Sequence, residues 1–242
     1  MSAVYKKREY LTRAFFVRFA CLSFAIFCLA ALPSVSGAET QHEKHIRLSV
    51  DLLRQMQKQD DAEPMAHAVK SARGVAIFPR VVQAGLGIGG MSGEGVVLVR
   101  QGKGWAGPSF ASIVGGSFGL QIGVKEVGLV LVITNRDGLQ AFTGGNSFKL
   151  GGDVSIAAGP VGRDAQAATD SRAAASIYSY SMSKGLFAGI ALGGATINRN
   201  ADANKAYWGR ALDAKTALSR RADSAKIKPL AIELDKISKI SK

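Results

Sequence analysis

The chain has few of the side chains from which catalytic and metal centres are built. Its 242 residues include two cysteines and three histidines. Both cysteines, Cys21 and Cys28, precede a predicted cleavage site after Ala38, so the mature chain would have no thiol. Disulfides, cysteine nucleophiles and thiolate metal sites are therefore excluded for the mature protein.

The histidines and acids form no recognisable catalytic arrangement. His42, His45 and His67 lie in the N-terminal helical region, away from any nucleophile. His42 and His45 could share a metal on one helix, but no third ligand is evident, and solvent-facing polar positions explain them better. The acids are mostly single and scattered, which does not suit a paired-carboxylate mechanism. We expect no catalytic residue, no metal and no cofactor, and hence no enzyme.

Negative charge is also scarce. The chain has 31 Lys and Arg against 18 Asp and Glu, a formal net charge of +13. Its first 38 residues carry five bases and one acid, and subtracting that net +4 leaves +9 on the mature chain. In an exported protein this excess favours anionic lipid head groups or cell-wall polymers as partners, rather than nucleic acid.

The first 38 residues are typical of a secretory signal peptide. A basic stretch is followed by the apolar run Phe19–Leu32, which is short for a bilayer span. Ser36-Gly37-Ala38 is a small-x-small cleavage signal. We expect an exported protein, periplasmic or peripherally attached to a membrane, with an uncleaved anchor as the alternative. Residues 39–242 are then predicted to form a single domain with its core at about 50–218.

Glycine, by contrast, is abundant. The chain has 28 glycines, most of them between Gly74 and Gly194 among Val, Ile, Leu and Phe. This pattern indicates a compact antiparallel β structure with many turns, bulges and close backbone approaches. Helices are predicted at 39–59, 60–72, 202–221 and 230–240. The predicted fold class is α+β: a glycine-rich antiparallel β-sheet or barrel-like body with N-terminal and C-terminal helices packed on it.

Short signals within the body suggest turns. Turns are predicted at Gly90–Gly93 and at Asn135–Gly138, where Asp137-Gly138 is a tight-hairpin pair ahead of a strand at 139–142. Gly85–Gly90 matches GxGxxG, but it runs into another strand instead of opening a helix. We interpret it as strand packing and not as a nucleotide motif.

One further motif suggests an enzyme. Ser181-Met182-Ser183-Lys184 matches the SxxK signature of penicillin-binding enzymes. Those sites also need a Lys-Thr-Gly strand, which the chain does not contain. A hydrolase centred on Ser181 and Lys184 is therefore the least favoured hypothesis.

Positive charge concentrates on a predicted amphipathic helix and at strand ends. The helix Lys44–Lys58 either lies on an anionic membrane, with Ile46, Val50 and Leu53 inserted shallowly, or docks on its own domain. Bases at strand ends are candidate phosphate contacts, with solvated surface charge as the alternative. The candidate lipid-binding residues are Lys44, Arg47, Arg54, Lys58, Arg80, Lys149, Arg163 and Lys184.

Seven short segments, in order along the chain, carry a family resemblance. The longest is Lys149–Arg163 (KLGGDVSIAAGPVGR), which combines paired glycines, a short strand and a Gly-Pro corner. The others are Gly74–Pro79 (GVAIFP), Gly85–Gly90 (GLGIGG), Trp105–Phe110 (WAGPSF), Gln121–Gly123 (QIG), Tyr178–Gly189 (YSYSMSKGLFAG) and Asn204–Gly209 (NKAYWG). In these segments, which cover roughly 50–218, the chain resembles the SYLF domain family.

This resemblance implies a membrane-lipid-binding module and not an enzyme. Eukaryotic SYLF proteins bind phosphoinositides through basic residues and an amphipathic N-terminal helix, and some bind actin. The helix Lys44–Lys58 corresponds to theirs in position and character. The export signal and the lack of the extra eukaryotic domains argue against actin, and favour another anionic lipid over phosphoinositides. The alternative is a non-enzymatic envelope protein, structural or stress-related, that binds another protein or a cell-wall polymer.

Overall fold

The computed structural model describes residues 39–59, 62–161, 175–190 and 192–240. All of them belong to one compact unit, Glu39–Lys242. The predicted signal peptide and Arg163 lie outside the described residues. Both hydrophobic clusters of the fold are drawn from this unit, so we take it as the part of the chain that folds by itself.

Helices flank a central β body, which confirms the predicted α+β class. In chain order the elements are α1 (Gln41–Gln57), α2 (Glu63–Ser71), β1 (Gly74–Gln101), β2 (Gly104–Ile133), α3 (Arg136–Gly144), β3 (Ser147–Lys149), β4 (Ile156–Ala158), β5 (Ile177–Ser183), β6 (Leu186–Gly189), β7 (Thr196–Arg199), α4 (Ala201–Trp208), α5 (Ala214–Leu218) and α6 (Lys228–Ile240).

The strands form one curled sheet around a long ribbon. The order is β3-β7-β2-β5-β4, with β1 also paired to β2 and β6 to β5. All these pairs are antiparallel except β4 with β5. β1 and β2 pair from Gly74↔Ile133 to Gln101↔Gly104, and β5 and β7 pair with the two halves of β2. The ribbon therefore organises every other strand.

The ribbon doubles back on itself. The register shifts between Leu86 and Ile88, and the two halves of β1 meet again beyond that point. Arg100 donates its backbone N–H to the Arg73 carbonyl at 2.7 Å. A Cβ on Gly93 would lie 2.7 Å from the Arg80 carbonyl oxygen, so the backbones are in contact there. The turn predicted at Gly90–Gly93 is wrong, since these residues lie inside β1 and their glycines allow close approach instead of chain reversal.

Doubling gives the folded ribbon two ends. We define the bend end as residues 82–92 and 114–126, which lie on either side of the bend, together with the adjoining β5–β6 turn at 184–186. The turn end is the hairpin turn Gln101–Gly104 at the other extremity. The hydrogen bond from Arg100 to Arg73 brings the turn end beside the open end of the ribbon. The bend end and the turn end are thus opposite extremities of the ribbon.

The two faces of the sheet bury separate hydrophobic clusters, because successive side chains of a strand point to opposite faces. Val75 and Ile77 on one half of β1, with Val96 and Leu98 on the other, pack under the helices. The helices contribute apolar residues of α1, α2 and α6. Ala76, Phe78, Val81, Val97 and Val99 face the second cluster, which also takes in Phe142 of α3 and Leu218 of α5.

Two predictions of local structure were wrong: the hairpin turn at Asn135–Gly138 with its strand at 139–142, and the single helix at 202–221. The segment from Asn135 forms α3, because the Asn135 side chain accepts the Gly138 N–H at 3.0 Å and caps a helix instead of closing a hairpin. The helix predicted at 202–221 ends at Gly209, which has a left-handed φ of 69°. A second helix, α5, then begins with Asp213 as its N-cap. Turn residues and helix-capping residues are the same types, so the sequence alone did not separate them.

Gly95→Ala tests the doubling of β1. The added methyl would overlap the Ile77 carbonyl oxygen and the Phe78 ring, and overpacking of this kind costs about 2 kcal/mol or more. The matched control is Gly90→Ala in the same strand, where the nearest neighbour of the methyl is the Gly115 carbonyl oxygen at 3.9 Å. Denaturant unfolding should show a large loss of stability in the first variant alone. An equal loss in both would contradict the doubled arrangement.

Candidate functional site

The N-terminal helix α1 is docked on the sheet by its apolar face. Ile46, Val50, Leu53 and Met56 are each 5% exposed or less. Leu52 lies directly over Gly128 of β2, where a Cβ would be 3.2 Å from the Leu52 Cγ. The sequence left open whether this helix is free or packed, and in this structure it is packed. Its apolar side chains therefore have no free surface to insert into a membrane.

The opposite face of α1 carries a basic stripe. Lys44, Arg47, Arg54 and Lys58 recur at helical spacing on the outward side, with Asp51 among them. Over 14 residues at 1.5 Å each, the stripe is about 20 Å long. Lys58 is the C-cap of the helix. The four helical candidate residues are thus brought onto one surface, because docking of the apolar face directs them outward.

The four bases of the stripe differ in their ionic partners. Arg47 makes paired hydrogen bonds to the Glu39 carboxylate at 2.8 and 3.1 Å and lies 3.7 Å from Asp51. Arg54 donates to Glu233 of α6 at 3.2 Å. Lys44 and Lys58 form no ion pair within the described part of the chain. Among the described residues, these two lysines are thus the bases of the stripe that have no carboxylate in ion-pair contact.

Glu233 fixes the packing of α6 against α1. Its side chain is 4% exposed and accepts hydrogen bonds from Arg54, Gln57 and Lys236. Burial alone would raise the pKa of the Glu233 carboxyl, but the hydrogen bonds from Gln57 and Arg54 and the charge of Lys236 lower it overall. Arg54 therefore supports the fold as well as the stripe, which makes it a poor residue with which to test binding alone.

The start of α1 is held by a second carboxylate. The Thr40 N–H donates to the Glu43 carboxylate at 2.9 Å and the Glu43 N–H donates to the Thr40 hydroxyl at 3.4 Å, which forms a capping box. The Thr40 hydroxyl also donates to the same carboxylate at 2.7 Å. Lys226, just ahead of α6, pairs with the same carboxylate at 2.8 Å. The hydrogen bonds from Lys226 and Thr40 lower the pKa of Glu43 from 4.5 to about 2.

Two of the strand-end candidates meet at the bend end. Arg80 donates to Glu126 at 3.0 Å, and the Ser183 hydroxyl donates to the Glu126 carbonyl at 3.3 Å. Lys184 follows Ser183 in the exposed β5–β6 turn. Arg80 therefore contacts Glu126 directly and Lys184 follows a residue that does, although the two bases are a hundred residues apart in sequence.

Lys149 is connected to the bend end through strand pairing. It pairs with Thr196 of β7, and Thr196 pairs with Val114 of β2. Lys149 is exposed at the end of that row of residues. Arg163 lies outside the described residues, so its position in the candidate set stays a prediction.

His42 and Ser181 take part in the packing and strand pairing of the fold, whereas His67 is exposed as predicted. His42 is 6% exposed, against Phe110 and Tyr207, and burial lowers its pKa, so its predicted solvent-facing position is wrong. Ser181 lies in β5, where its hydroxyl donates to the Ala188 carbonyl at 3.4 Å. Lys184 stands in the turn beyond it, with a left-handed φ of 49°. Ser181 is thus used in pairing β5 to β6.

The sequence did not reveal a groove at the turn end. It has a volume of about 670 Å³ and lies between the hairpin turn and α6. Asp235 in its wall accepts the Trp105 indole N–H at 2.9 Å. Its charged and apolar lining includes Lys103, Arg221, Lys228, Asp223, Ala231 and Ile232. The signal available in sequence was only the basic character of the C-terminal segment, which is not specific.

Two further findings concern the described residues as a set. None of their helices is both long enough and apolar enough to cross a bilayer. No three of their His, Cys, Asp and Glu side chains gather in a way that could hold a metal ion.

Comparison with known proteins gives a consistent result. The Ysc84 family model, described as Las17-binding protein actin regulator, matches residues 114–237, half of the chain. LAS seventeen-binding protein 3 of Saccharomyces cerevisiae is 36% identical over 156 residues, 63% of this chain and 34% of the yeast protein. Protein YSC84 of the same yeast is 34% identical over 174 residues, 71% of this chain and 36% of that protein.

A vertebrate relative matches in the same way. SH3 domain-containing YSC84-like protein 1 of Xenopus laevis is 34% identical over 145 residues, 60% of this chain and 43% of the frog protein. The chain therefore spans less than half the length of these relatives.

Glu43→Gln tests the capping arrangement through its pH dependence. Because the folded-state pKa is depressed, the ionised Glu43 stabilises the fold above pH 4.5, and this stabilisation is lost as the pH falls through about 2. The wild-type protein should be the more stable at pH 7, and its advantage over the variant should shrink between those values. Urea unfolding across the pH range measures it, with exposed Glu63→Gln as control. A difference that does not vary with pH would contradict this role.

Proposed function

The chain belongs to the Ysc84 family, the SYLF-domain proteins, and from that membership we propose that it is an exported, non-enzymatic protein that attaches peripherally to anionic membranes. The observation that carries the proposal is the basic stripe on the outward face of α1. It presents four cations at helical spacing on a helix whose other face is buried. The excess of bases over acids in the whole chain supports the same direction of attraction.

In this proposal α1 adsorbs to the surface and does not leave the sheet. Releasing it would uncover its own apolar face and also the sheet face beneath, including Val75, Ile77 and Val130. A membrane could cover the helix but not the sheet, and each large side chain left in water costs about 1.5–3 kcal/mol. Three such residues already outweigh the attraction of several surface charges. Coulomb attraction through the stripe is therefore the favoured mode.

The expected strength follows from Lys44 and Lys58, the two bases of the stripe that form no ion pair with another described residue. A base close to an anionic surface contributes about 1 kcal/mol. Lys44 and Lys58 together then supply about 2 kcal/mol, or a factor of about 30 in partition. Arg47 and Arg54 contribute less, because Glu39, Asp51 and Glu233 stay beside them.

Lys44→Gln/Lys58→Gln tests the stripe directly. Residues 39–242 are sedimented with phosphatidylglycerol-containing and purely phosphatidylcholine vesicles across a salt series. Binding should need the anionic lipid, fall with salt, and drop about 30-fold in the variant. The matched control is Lys103→Gln/Lys228→Gln, which removes the same charge from the turn end. Equal binding to both vesicle types, or equal loss in both variants, would contradict the stripe as the contact.

The groove at the turn end favours a second candidate function. Its bases Lys103 and Lys228, beside the Arg221–Asp223 pair and an apolar wall, suit an acidic polymer or a partner protein in the cell envelope. If this is the function, isolated cell-wall sacculi should capture the wild-type chain and not Lys103→Gln/Lys228→Gln. Vesicles of every composition would then leave the protein in solution.

Actin is not part of the proposal. The family description refers to Las17 and to actin regulation, and the name of one yeast relative refers to LAS seventeen. An exported protein would not meet actin, and co-sedimentation with filaments gives a direct check. Pelleting of this chain with actin filaments at physiological salt would count against an envelope function.

A further inference from the structure

In the described part of the chain, most of the exposed large apolar side chains lie towards one extremity. Five large hydrophobic residues are exposed within the described part of the chain. Four of them lie at the bend end: Val82 (44% exposed), Val114 (47%), Val124 (77%) and Leu186 (77%). The fifth, Ile232 (45%), lines the groove at the turn end. Scattered single residues would need no explanation, but a cluster at one extremity does.

The strand register brings these four residues around the bend. Val82 pairs with Glu126, two residues from Val124, and side chains two residues apart lie on the same face of a strand. Leu186 pairs with Ser183, which is hydrogen-bonded to Glu126. Val114 lies on the returning half of the ribbon, opposite Ser92.

The ribbon around the bend is also free of charge. No charged residue occurs at 81–93 or at 104–124. Charged residues border this uncharged segment: Arg80, Glu94 and Lys125 adjoin it along the strands, and Lys184 stands in the β5–β6 turn. Lys149 joins them through the row of Thr196 and Val114. The bend end is thus an apolar tip with a collar of bases, Lys125, Lys149 and Lys184, which form no ion pair within the described residues, whereas Arg80 is paired with Glu126 at 3.0 Å.

We propose that the bend end is the part of the molecule that enters the lipid bilayer. Its exposed aliphatic side chains suit the apolar acyl region of a bilayer, and its collar of bases suits the anionic phosphates at the surface of that region. The inference rests on the proposed membrane function and adds the insertion element that the buried face of α1 cannot supply. A soluble protein partner would complement the aliphatic tips equally well, but the collar of bases around them is complementary to a surface with an outer negative layer and an apolar interior.

The tip and the basic stripe adjoin on one face of the sheet. Val124, Glu126 and Gly128 alternate along β2 and so share a face with Val130, which lies under the helices. Leu52 of α1 covers that face at Gly128. From Glu126 onward the face is uncovered, as the exposure of Glu126 and Val124 records. A membrane that meets the stripe can therefore also meet the tip.

Val124→Ser/Leu186→Ser tests the insertion. Both side chains are exposed, so the variant should fold as the wild type does, which thermal unfolding verifies. Partition of residues 39–242 onto phosphatidylglycerol vesicles should fall at least about tenfold, because apolar area is no longer removed from water. Its dependence on salt should stay as in the wild type, since no charge is removed. Ile232→Ser, of similar exposure at the turn end, should bind normally.

A fluorescent reporter gives a second readout. Residues 39–242 contain no cysteine, so Val124→Cys can be labelled with an environment-sensitive dye, and Ile232→Cys likewise as the control. On anionic vesicles the emission should shift to the blue at position 124 and stay unchanged at position 232. The same shift at both positions, or at neither, would overturn the inference.

The outcomes separate this inference from the proposed function. If the wild-type chain binds no vesicle, both fail together. If it binds and the Val124→Ser/Leu186→Ser variant binds equally, the membrane function stands and the bend end is not the insertion element. If the variant instead loses self-association in sedimentation velocity, the tip is a surface for a second copy of the chain, and the inference is overturned.

Discussion

The fold depends on one contact, that of β1 with itself. A strand of 28 residues cannot remain straight in a domain of this size, and it folds back where Gly93 and Gly95 let its two halves touch. The hydrogen bond between Arg100 and Arg73 closes the far end of the doubled strand. β2 follows β1 through the same bend, so β5 and β7 pair with separate halves of β2.

This contact explains why the functional surfaces lie where they do. The doubled ribbon buries one face under α1, α2 and α6. Helix α1, whose sequence is typical of a helix that lies on a membrane, therefore covers the sheet with its apolar face. Its bases are left outside as the stripe. Among the described elements no helix covers the bend beyond Gly128, and it is there that aliphatic side chains reach solvent. The separate positions of the basic stripe and the apolar tip thus follow from the strand topology.

The sequence predicted which kinds of secondary structure form better than it predicted the course of the strands. Glycine density and terminal helical periodicity predicted the α+β class correctly, because both depend on local patterns. The doubling was not predictable, since glycines for close approach and glycines for turns are the same residue. The basic residues of the stripe were identified, but the partner of Arg54 is Glu233, 179 residues away. The exposed tip was missed because aliphatic residues in a glycine-rich strand resemble core.

The central claim is that the protein meets the membrane as a rigid body with α1 still docked. Leu52→Cys/Gly128→Cys tests this most directly, because a Cβ at position 128 lies 3.2 Å from the Leu52 Cγ, within reach of a disulfide. The oxidised form locks α1 on the sheet, and the reduced form leaves it free. Our account predicts the same affinity of both forms for anionic vesicles. Loss of binding on oxidation, with recovery on reduction, would mean that α1 must leave the sheet and would contradict it.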